Sequence, residues 1–228
     1  MLAAVRRMDG AALLEARSVY TIANNVSDRL QRYNGIASRA LYPPPPLGAR
    51  YHCDSYGDYV LSVGRLDAIK RVDLLLQGLA AAGGRLRAVI TGAGPDLPRL
   101  QQLAHHLGIT QRVEFVGFVS EERLLELYAG CRAVYYAPYD EDYGFVTLEA
   151  MRSRKPIITT IDSGGVLEFI EHGRNGLVGQ PDGASLAGLL QQVGDDPALC
   201  ERLGATAEHE TDSITWERVV AALTGPAA

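Results

Sequence analysis

Cysteine is scarce in this chain of 228 residues: Cys53, Cys131 and Cys200 are odd in number, far apart and outside any C-x-x-C pair. That excludes a disulfide framework and points to reduced thiols, hence a cytoplasmic setting. Long hydrophobic runs are missing too. Nowhere do about 18 apolar residues follow one another, so no membrane span is expected. Arg6, Arg7 and Asp9 interrupt residues 1–16, which leaves no apolar stretch of the kind a secretion signal needs. Contact with a membrane surface stays compatible with both facts. No basic cluster exceeds a pair such as Lys70-Arg71, and 22 Lys and Arg against 27 Asp and Glu give a net charge of −5, which argues against nucleic acid as a partner. The histidines are equally unhelpful. His105 and His106 are adjacent in a helical pattern and diverge, while His52, His172 and His209 lie in loop-like or terminal surroundings, so neither a zinc site nor a Ser-His-Asp triad is supported.

What the chain does have is an ordinary globular composition, 47% hydrophobic and 21% charged, at a length that fits one full domain and is short for two. Residues 18–23 read as a strand. Asn24, Asn25 and Ser27 offer caps for a helix over residues 28–33, which Asn34-Gly35 stops. Four prolines, Pro43 to Pro46, then form a stiff segment that cannot donate backbone hydrogen bonds. These features predict residues 1–42 as one piece, a linker over 43–58, a main domain over 59–212 and a C-terminal helix and tail over 213–228. Within the main domain, apolar runs at residues 59–63, 86–91, 113–116, 133–137 and 156–159 alternate with helical patterns at 71–82, 97–107, 121–129 and 145–153. Alternation of this kind predicts an α/β fold: a Rossmann-like parallel sheet with helices on both faces, ligands binding beyond the carboxyl ends of the strands. After Val178 the chain turns helical.

The most informative stretch runs from Tyr139 through Asp140-Glu141-Asp142-Tyr143-Gly144 into Phe145-Val146-Thr147-Leu148-Glu149. A strand empties into an acidic loop, turns at Gly144 and enters a helix. Unpaired amides at such a helix start favour a phosphate, and Glu141 and Glu149 on either side can accept from hydroxyls. Phosphate donors beside hydroxyl acceptors imply a nucleotide-sugar site. Spacing alone proves little, since Glu114 and Glu122 stand equally far apart; the strand-end context separates the two pairs. Gly64-Arg65 follows the first strand of the main domain and Lys70 opens the next helix, so a guanidinium and an ammonium can grip a diphosphate. Asp140-Glu141-Asp142 also reads as an oxygen set for a divalent metal. Arg65 and Lys70 favour the metal-free alternative, and no metal ligands are assigned. Gly92-Ala93-Gly94-Pro95 lacks the third glycine of a dinucleotide fingerprint and reads as a tight turn; Gly164-Gly165 reads as a turn or a place of close ligand approach.

Taken in order, these motifs resemble the nucleotide-binding half of glycosyltransferase family 4, whose members have the two-domain GT-B fold. The resemblance runs from about Ser18 to the C-terminus. It rests on Ser62-Val63-Gly64-Arg65-Leu66 with Lys70, on Thr91-Gly92-Ala93-Gly94-Pro95 and on Val113-Glu114-Phe115-Val116-Gly117-Phe118-Val119. The acidic block closing in Leu148-Glu149-Ala150-Met151, then Lys155-Pro156-Ile157-Ile158, Gly164-Gly165, Glu168 and Asn175-Gly176-Leu177-Val178, complete it. It implies that Arg65 and Lys70 neutralise the donor diphosphate, that Glu141 contacts the transferred sugar and that Glu149 binds the ribose. Gly64 and the backbone of Tyr143, Gly144, Phe145, Val146, Thr147 and Leu148 would meet phosphates and sugar, and Val116 with Phe118 would line the base pocket. Tyr143 stands where the family usually has phenylalanine. The implied reaction is metal-independent, retaining transfer of a hexose from a nucleotide diphosphosugar to a sugar, lipid or glycan acceptor, with no cofactor. Residues 1–42 resemble only the last strand and helix of the acceptor domain; the rest is expected to belong to a longer chain of which this is a fragment, to be supplied by another chain, or to have been lost. Two alternatives follow: a nucleotide-sugar binding module inactive alone, and a sugar epimerase of the same fold.

Overall fold

The computed structural model describes residues 2–225, which separate into two compact units, one drawn from the chain up to Pro44 and from Ile214 onward, the other from Pro45–Ser213. In the first unit, α1 (Leu2–Glu15) precedes β1 (Tyr20–Thr21), α2 (Asn24–Asn34) and β2 (Arg39–Ala40). The two strands pair in parallel, Tyr20 opposite Arg39, and the strand expected over residues 18–23 is thus only two residues long. α1 was not expected, because Arg6, Arg7, Asp9 and Gly10 break its apolar period. α2 begins behind Ala23 without a side-chain cap, so Asn24, Asn25 and Ser27 do not cap it; the Ser27 hydroxyl meets that of Ser38 at 2.5 Å instead. It stops where expected, at Gly35, whose φ of 68° lets its amide reach the Gln31 carbonyl at 3.0 Å. The last helix, Trp216–Thr224, belongs to this unit, with Tyr20 donating to the Ala222 carbonyl at 3.1 Å.

The second unit is the α/β fold the alternation predicts. Its elements are β3 (Tyr59–Ser62), α3 (Val72–Ala82), β4 (Arg87–Thr91), α4 (Leu97–His106), β5 (Val113–Gly117), α5 (Glu121–Gly130), β6 (Ala133–Tyr135), α6 (Phe145–Arg152), β7 (Ile157–Thr160), β8 (Gly176–Gly179), α7 (Gly183–Asp195) and α8 (Pro197–Glu210). The six strands form one parallel sheet in the order β5-β4-β3-β6-β7-β8, the helices flanking it. β8 was not expected, since Gly176-Leu177-Val178-Gly179 has little intrinsic strand preference. Its pairing with β7 makes it a strand, and a Cβ at Gly176 would lie 2.8 Å from the Ile157 carbonyl, so the glycine permits the approach. Val60, Ile90, Tyr135, Leu75, Leu76, Leu79, Leu186 and Leu190 are core residues buried between sheet and helices. Gly78 lets α3 close on α7; a Cβ there would sit 2.9 Å from that of Leu186.

Residues 45–58, read as part of a linker, group with this second unit. Lys155, fully buried, anchors them: its ammonium donates to the Ser55 carbonyl, lies 3.1 Å from Cys53 Sγ and stacks 4.2 Å from the centre of the Tyr56 ring. Tyr56 in turn donates to the Arg154 carbonyl at 2.7 Å.

Close approach of backbones fixes the carboxyl edge of the sheet. A Cβ at Gly94 would lie 2.0 Å from the Leu66 carbonyl oxygen. We expect Gly94→Ala to lower stability by about 1–3 kcal/mol through overpacking, read as a reduced urea midpoint at unchanged slope.

Candidate functional site

The strand order reverses between β3 and β6, which lie side by side while their connections leave in opposite directions. Loops after those two strands therefore part and leave a crevice, the usual ligand position in an open parallel sheet. On the β3 side, Gly64 takes φ 141°, and the space its side chain would fill is open. The turn at Gly92-Ala93-Gly94 buttresses it from below: Gly92 has φ 96°, a Cβ there would sit 2.0 Å from the Gly64 carbonyl oxygen, and Leu66 donates to the Ala93 carbonyl at 3.0 Å. The Gly92–Pro95 motif is thus the expected tight turn. A pocket of about 460 Å³ opens here, walled by Val63, Gly64, Arg65, Thr91, Gly92, Ala93, Phe118, Val119, Glu121 and Leu124. Phe118 stands on it with 91% of its surface exposed; Val116 lies within β5 and is not part of the wall.

Lys70 does not open a helix. It ends a 3₁₀ turn, Ala68–Lys70, and Arg71 separates it from α3 with a left-handed φ of 50°. An arginine in that conformation is strained by about 1 kcal/mol or more, and its side chain offsets the cost. The Arg71 guanidinium donates to the Ala137 and Pro138 carbonyls, to Thr160 Oγ1 and, as a fork, to both Asp162 oxygens, each at 2.7–2.8 Å. The knot joins the start of α3 to the ends of β6 and β7. Hydrogen bonding to Arg71 holds the Asp162 carboxyl below its ordinary range, against the opposing effect of burial.

The two expected cations differ in setting. Arg65 extends its guanidinium into solvent, reaching Asp67 at 3.8 Å. Lys70 is half-buried and paired with Glu141, and Tyr136 ties the two together, donating to Glu141 Oε2 at 2.8 Å with its oxygen 3.3 Å from Lys70 Nζ. Burial tends to raise the Glu141 carboxyl, but the hydrogen bonds from Lys70 and Tyr136 outweigh it and the net shift is downward. A diphosphate arriving at Lys70 meets an ammonium already engaged by a carboxylate, and one of its three donors must turn to the ligand.

The acidic loop is pinned along its backbone. Tyr139 donates to the Ile69 carbonyl at 2.9 Å, Asp140 to that of Asp162 at 3.0 Å, and Gly165 to that of Glu141 at 2.7 Å. A Cβ at Gly164 or Gly165 would strike this loop, at 2.6 Å from the Glu141 oxygen and 2.3 Å from the Asp142 oxygen, so these glycines serve contact between loops. The chain then turns at Gly144, φ 73°, where a Cβ would meet the Tyr136 ring at 2.6 Å. No described side chain caps the start of α6 behind it. Of the amides expected to serve a ligand, that of Thr147 is taken by the Gly144 carbonyl at 2.9 Å, which leaves Phe145 and Val146 in the first turn. The side chains of Tyr143, Thr147 and Leu148 are buried; Tyr143 packs edge-on against Phe145 and Phe169 at 5.2 and 5.6 Å.

Glu149 lies one turn further in. Tyr128 donates to its Oε2 at 2.7 Å, and the Tyr51 phenol also favours the charged form of this carboxylate. Burial raises its carboxyl above the ordinary range, and the two phenols only partly counter that. Five residues here were given no role in the site from the sequence: Tyr51, Tyr128, Tyr136, Arg71 and Asp162. Only Arg71 left a signal, as half of the basic pair with Lys70. Among the described residues no group of three or more His, Cys, Asp or Glu side chains is arranged to hold a metal ion, and no helix is long and apolar enough to cross a membrane.

Comparison with known proteins identifies the family and the fold. Residues 54–210 match the family of glycosyl transferases group 1, and the chain belongs to that family. It is 32% identical over 200 residues to the alpha-D-kanosaminyltransferase of Streptomyces kanamyceticus, covering 86% of this chain and 50% of that protein. Its identity to the D-inositol 3-phosphate glycosyltransferase of Streptomyces avermitilis is 30% over 175 residues, 71% of this chain and 38% of the relative. The chain thus spans half or less of the length of these relatives. Among solved structures, HepE of Anabaena in complex with UDP and glucose superposes with a TM-score of 0.82 at 20% identity, covering 92% of this chain and 64% of that one. Sucrose-phosphate synthase of Thermosynechococcus elongatus does so with 0.83 at 23%, covering 96% and 59%. The fold is that of the C-terminal half of a GT-B glycosyltransferase.

Asp162 gives the site a pH signature. Its folded carboxyl titrates below its unfolded value, so the stabilisation is complete above the unfolded range, near pH 4, and disappears as pH falls through the lower folded value. Asp162→Asn should cost about 1–3 kcal/mol at neutral pH, and the gap to the native chain should shrink in acid, as measured by chemical unfolding at several pH values.

Proposed function

We propose that this chain binds a nucleotide diphosphosugar in the crevice between the loops after β3 and β6 and forms the donor half of a retaining hexosyltransferase. One observation carries the reading: a cationic turn, an uncapped helix start and two half-buried carboxylates lie at the point where the strand order reverses. The family and the complex of HepE with UDP and glucose support it. In this reading the base enters the pocket beside Phe118, Glu149 accepts from the ribose, Arg65 and Lys70 face the diphosphate, and Glu141 reads the transferred sugar.

The chemistry asks little of the protein beyond charge control. As the bond from sugar to phosphate breaks, negative charge grows on the β-phosphate. Arg65, one donor of Lys70 turned from Glu141, and the free amides of Phe145 and Val146 stabilise it, which favours the transition state over the bound substrate. Because Lys70 and Glu141 are paired, movement of the ammonium toward phosphate frees a carboxylate oxygen for a sugar hydroxyl. The cations make a divalent metal unnecessary in this scheme. The acceptor is a sugar, lipid or glycan, the last two compatible with work at a membrane surface. Three free thiols accord with a cytoplasmic setting.

The same crevice also accommodates a second reading, a nucleotide-sugar binding module that does not turn over alone. Release of free sugar or an epimer in place of transfer would mark the epimerase alternative. Titration calorimetry with UDP, GDP, ADP and their glucose conjugates tests the donor site. We expect one nucleotide series to bind, Lys70→Ala and Arg65→Ala each to weaken the diphosphate by about tenfold or more, and a chelator to leave affinity unchanged. Native affinity in both variants overturns the assignment, and loss of affinity with a chelator restores the metal alternative. Donor consumption by the native chain with and without candidate acceptors separates transfer from binding alone.

A further inference from the structure

Glu149 is a half-buried carboxylate whose hydrogen-bond donor is a phenol. Among the described residues no lysine or arginine contributes to its titration: burial works against the charge, and Tyr128 and Tyr51 work for it. The two tyrosines come from separate places. Tyr128 is fully buried on α5 and donates to Oε2 at 2.7 Å; Tyr51 is 7% exposed and comes from the segment preceding β3. Their rings meet edge to face at 5.9 Å, so each fixes the other. Arg50, the neighbour of Tyr51, bonds Glu121 at 3.0 Å at the first turn of α5, which ties this segment to the wall of the pocket beside Phe118.

We infer that Tyr51 and Tyr128 are positioning residues for the donor nucleoside, holding Glu149 from the protein side so that its remaining lone pairs face the ribose. The inference rests on the donor-site reading above. A carboxylate offers about four acceptor positions, and the Tyr128 hydrogen bond leaves others for two vicinal hydroxyls. The tyrosines act through Glu149 alone. A phenol donates more strongly to a carboxylate than to the neutral acid, so the pair favours the ionised form without a salt bridge that would compete with the ligand. Other titrating groups nearby do not blur this. Tyr136 feels Glu149, but burial raises its phenol far above neutral pH. Cys131, beside Tyr128, is pushed up to about 12. Glu141, joined to Tyr136, is held low with Lys70 and Tyr136 bonded to it. Glu121, which acts on Tyr51, is a rim carboxylate paired with Arg50.

The signs follow. Ribose binding strengthens as pH rises through the titration of Glu149, and losing a phenol donor moves that limb upward. The test titrates UDP, GDP and ADP, with their 2′,3′-dideoxy counterparts, into the native chain, Tyr51→Phe, Tyr128→Phe and Glu149→Ala from about pH 5 to about 8, spanning the range above ordinary carboxylates. For whichever diphosphate binds, each phenylalanine variant should lose about tenfold of its preference for the ribose form at neutral pH and shift the acid limb by about one pH unit, with dideoxy affinity unchanged. A purely structural role would weaken both forms together and leave the limb in place, which overturns the inference. So does an unchanged preference and limb in both variants while Glu149→Ala abolishes the preference. Native preference in Glu149→Ala overturns the ribose assignment itself, and this inference with it. Tyr51→Phe decides the matter if Tyr128→Phe does not fold.

Discussion

At the carboxyl edge of the sheet, loops approach one another so closely that no side chain fits between them. Gly92 and Gly94 lie against the backbone of Gly64 and Leu66, and Gly164 and Gly165 lie against Glu141 and Asp142. A methyl group at any of these four positions would come within about 2.6 Å of backbone oxygen. The site depends on this constraint. Loops held apart by ordinary side chains would carry Lys70, Glu141 and the start of α6 to positions set by their own flexibility. Loops in backbone contact inherit the rigidity of the sheet beneath them.

Upon that scaffold the charges are arranged with little left to solvent. Arg71 accepts an unfavourable backbone conformation and returns five hydrogen bonds that bind three elements. Lys70 and Glu141 neutralise each other, and Glu149 is held by phenols where a cation would otherwise be needed. The two carboxylates are consequently pushed in opposite directions, Glu141 down and Glu149 up, although both are largely buried. The difference lies in the partner: an ammonium compensates a buried charge, and phenols do so only in part. The loop before α6 and the helix itself thus each present one acceptor, of unlike character and suited to different hydroxyls.

Much of this was legible in the chain. The β and α alternation, the tight turn at Gly92-Ala93-Gly94-Pro95, the stop at Gly35 and the turn at Gly144 are local matters, written in apolar period and glycine placement. What misled was also local. Asn24, Asn25 and Ser27 are good caps by residue type, yet α2 starts at Asn24 with Ala23 before it. Lys70 looked like the first residue of a helix because Arg71 was not expected in a left-handed conformation, which depends on Asp162 some 91 positions away. β8 is a strand only through its pairing with β7. Tyr51, in a stretch that reads as loop, becomes part of the site through Glu149 and Tyr128.

The sequence by itself determined the layer architecture and the family, because periodicity, turn glycines and ordered motifs act within a few residues of one another. Only the tertiary structure decided how those positions are held: which cation is engaged and which extends into solvent, which amides remain open, and which carboxylate titrates high. Those properties arise from burial and from hydrogen bonds between residues far apart in the chain. Free energies of that kind depend on distance and dielectric, and neither quantity exists until the chain has folded.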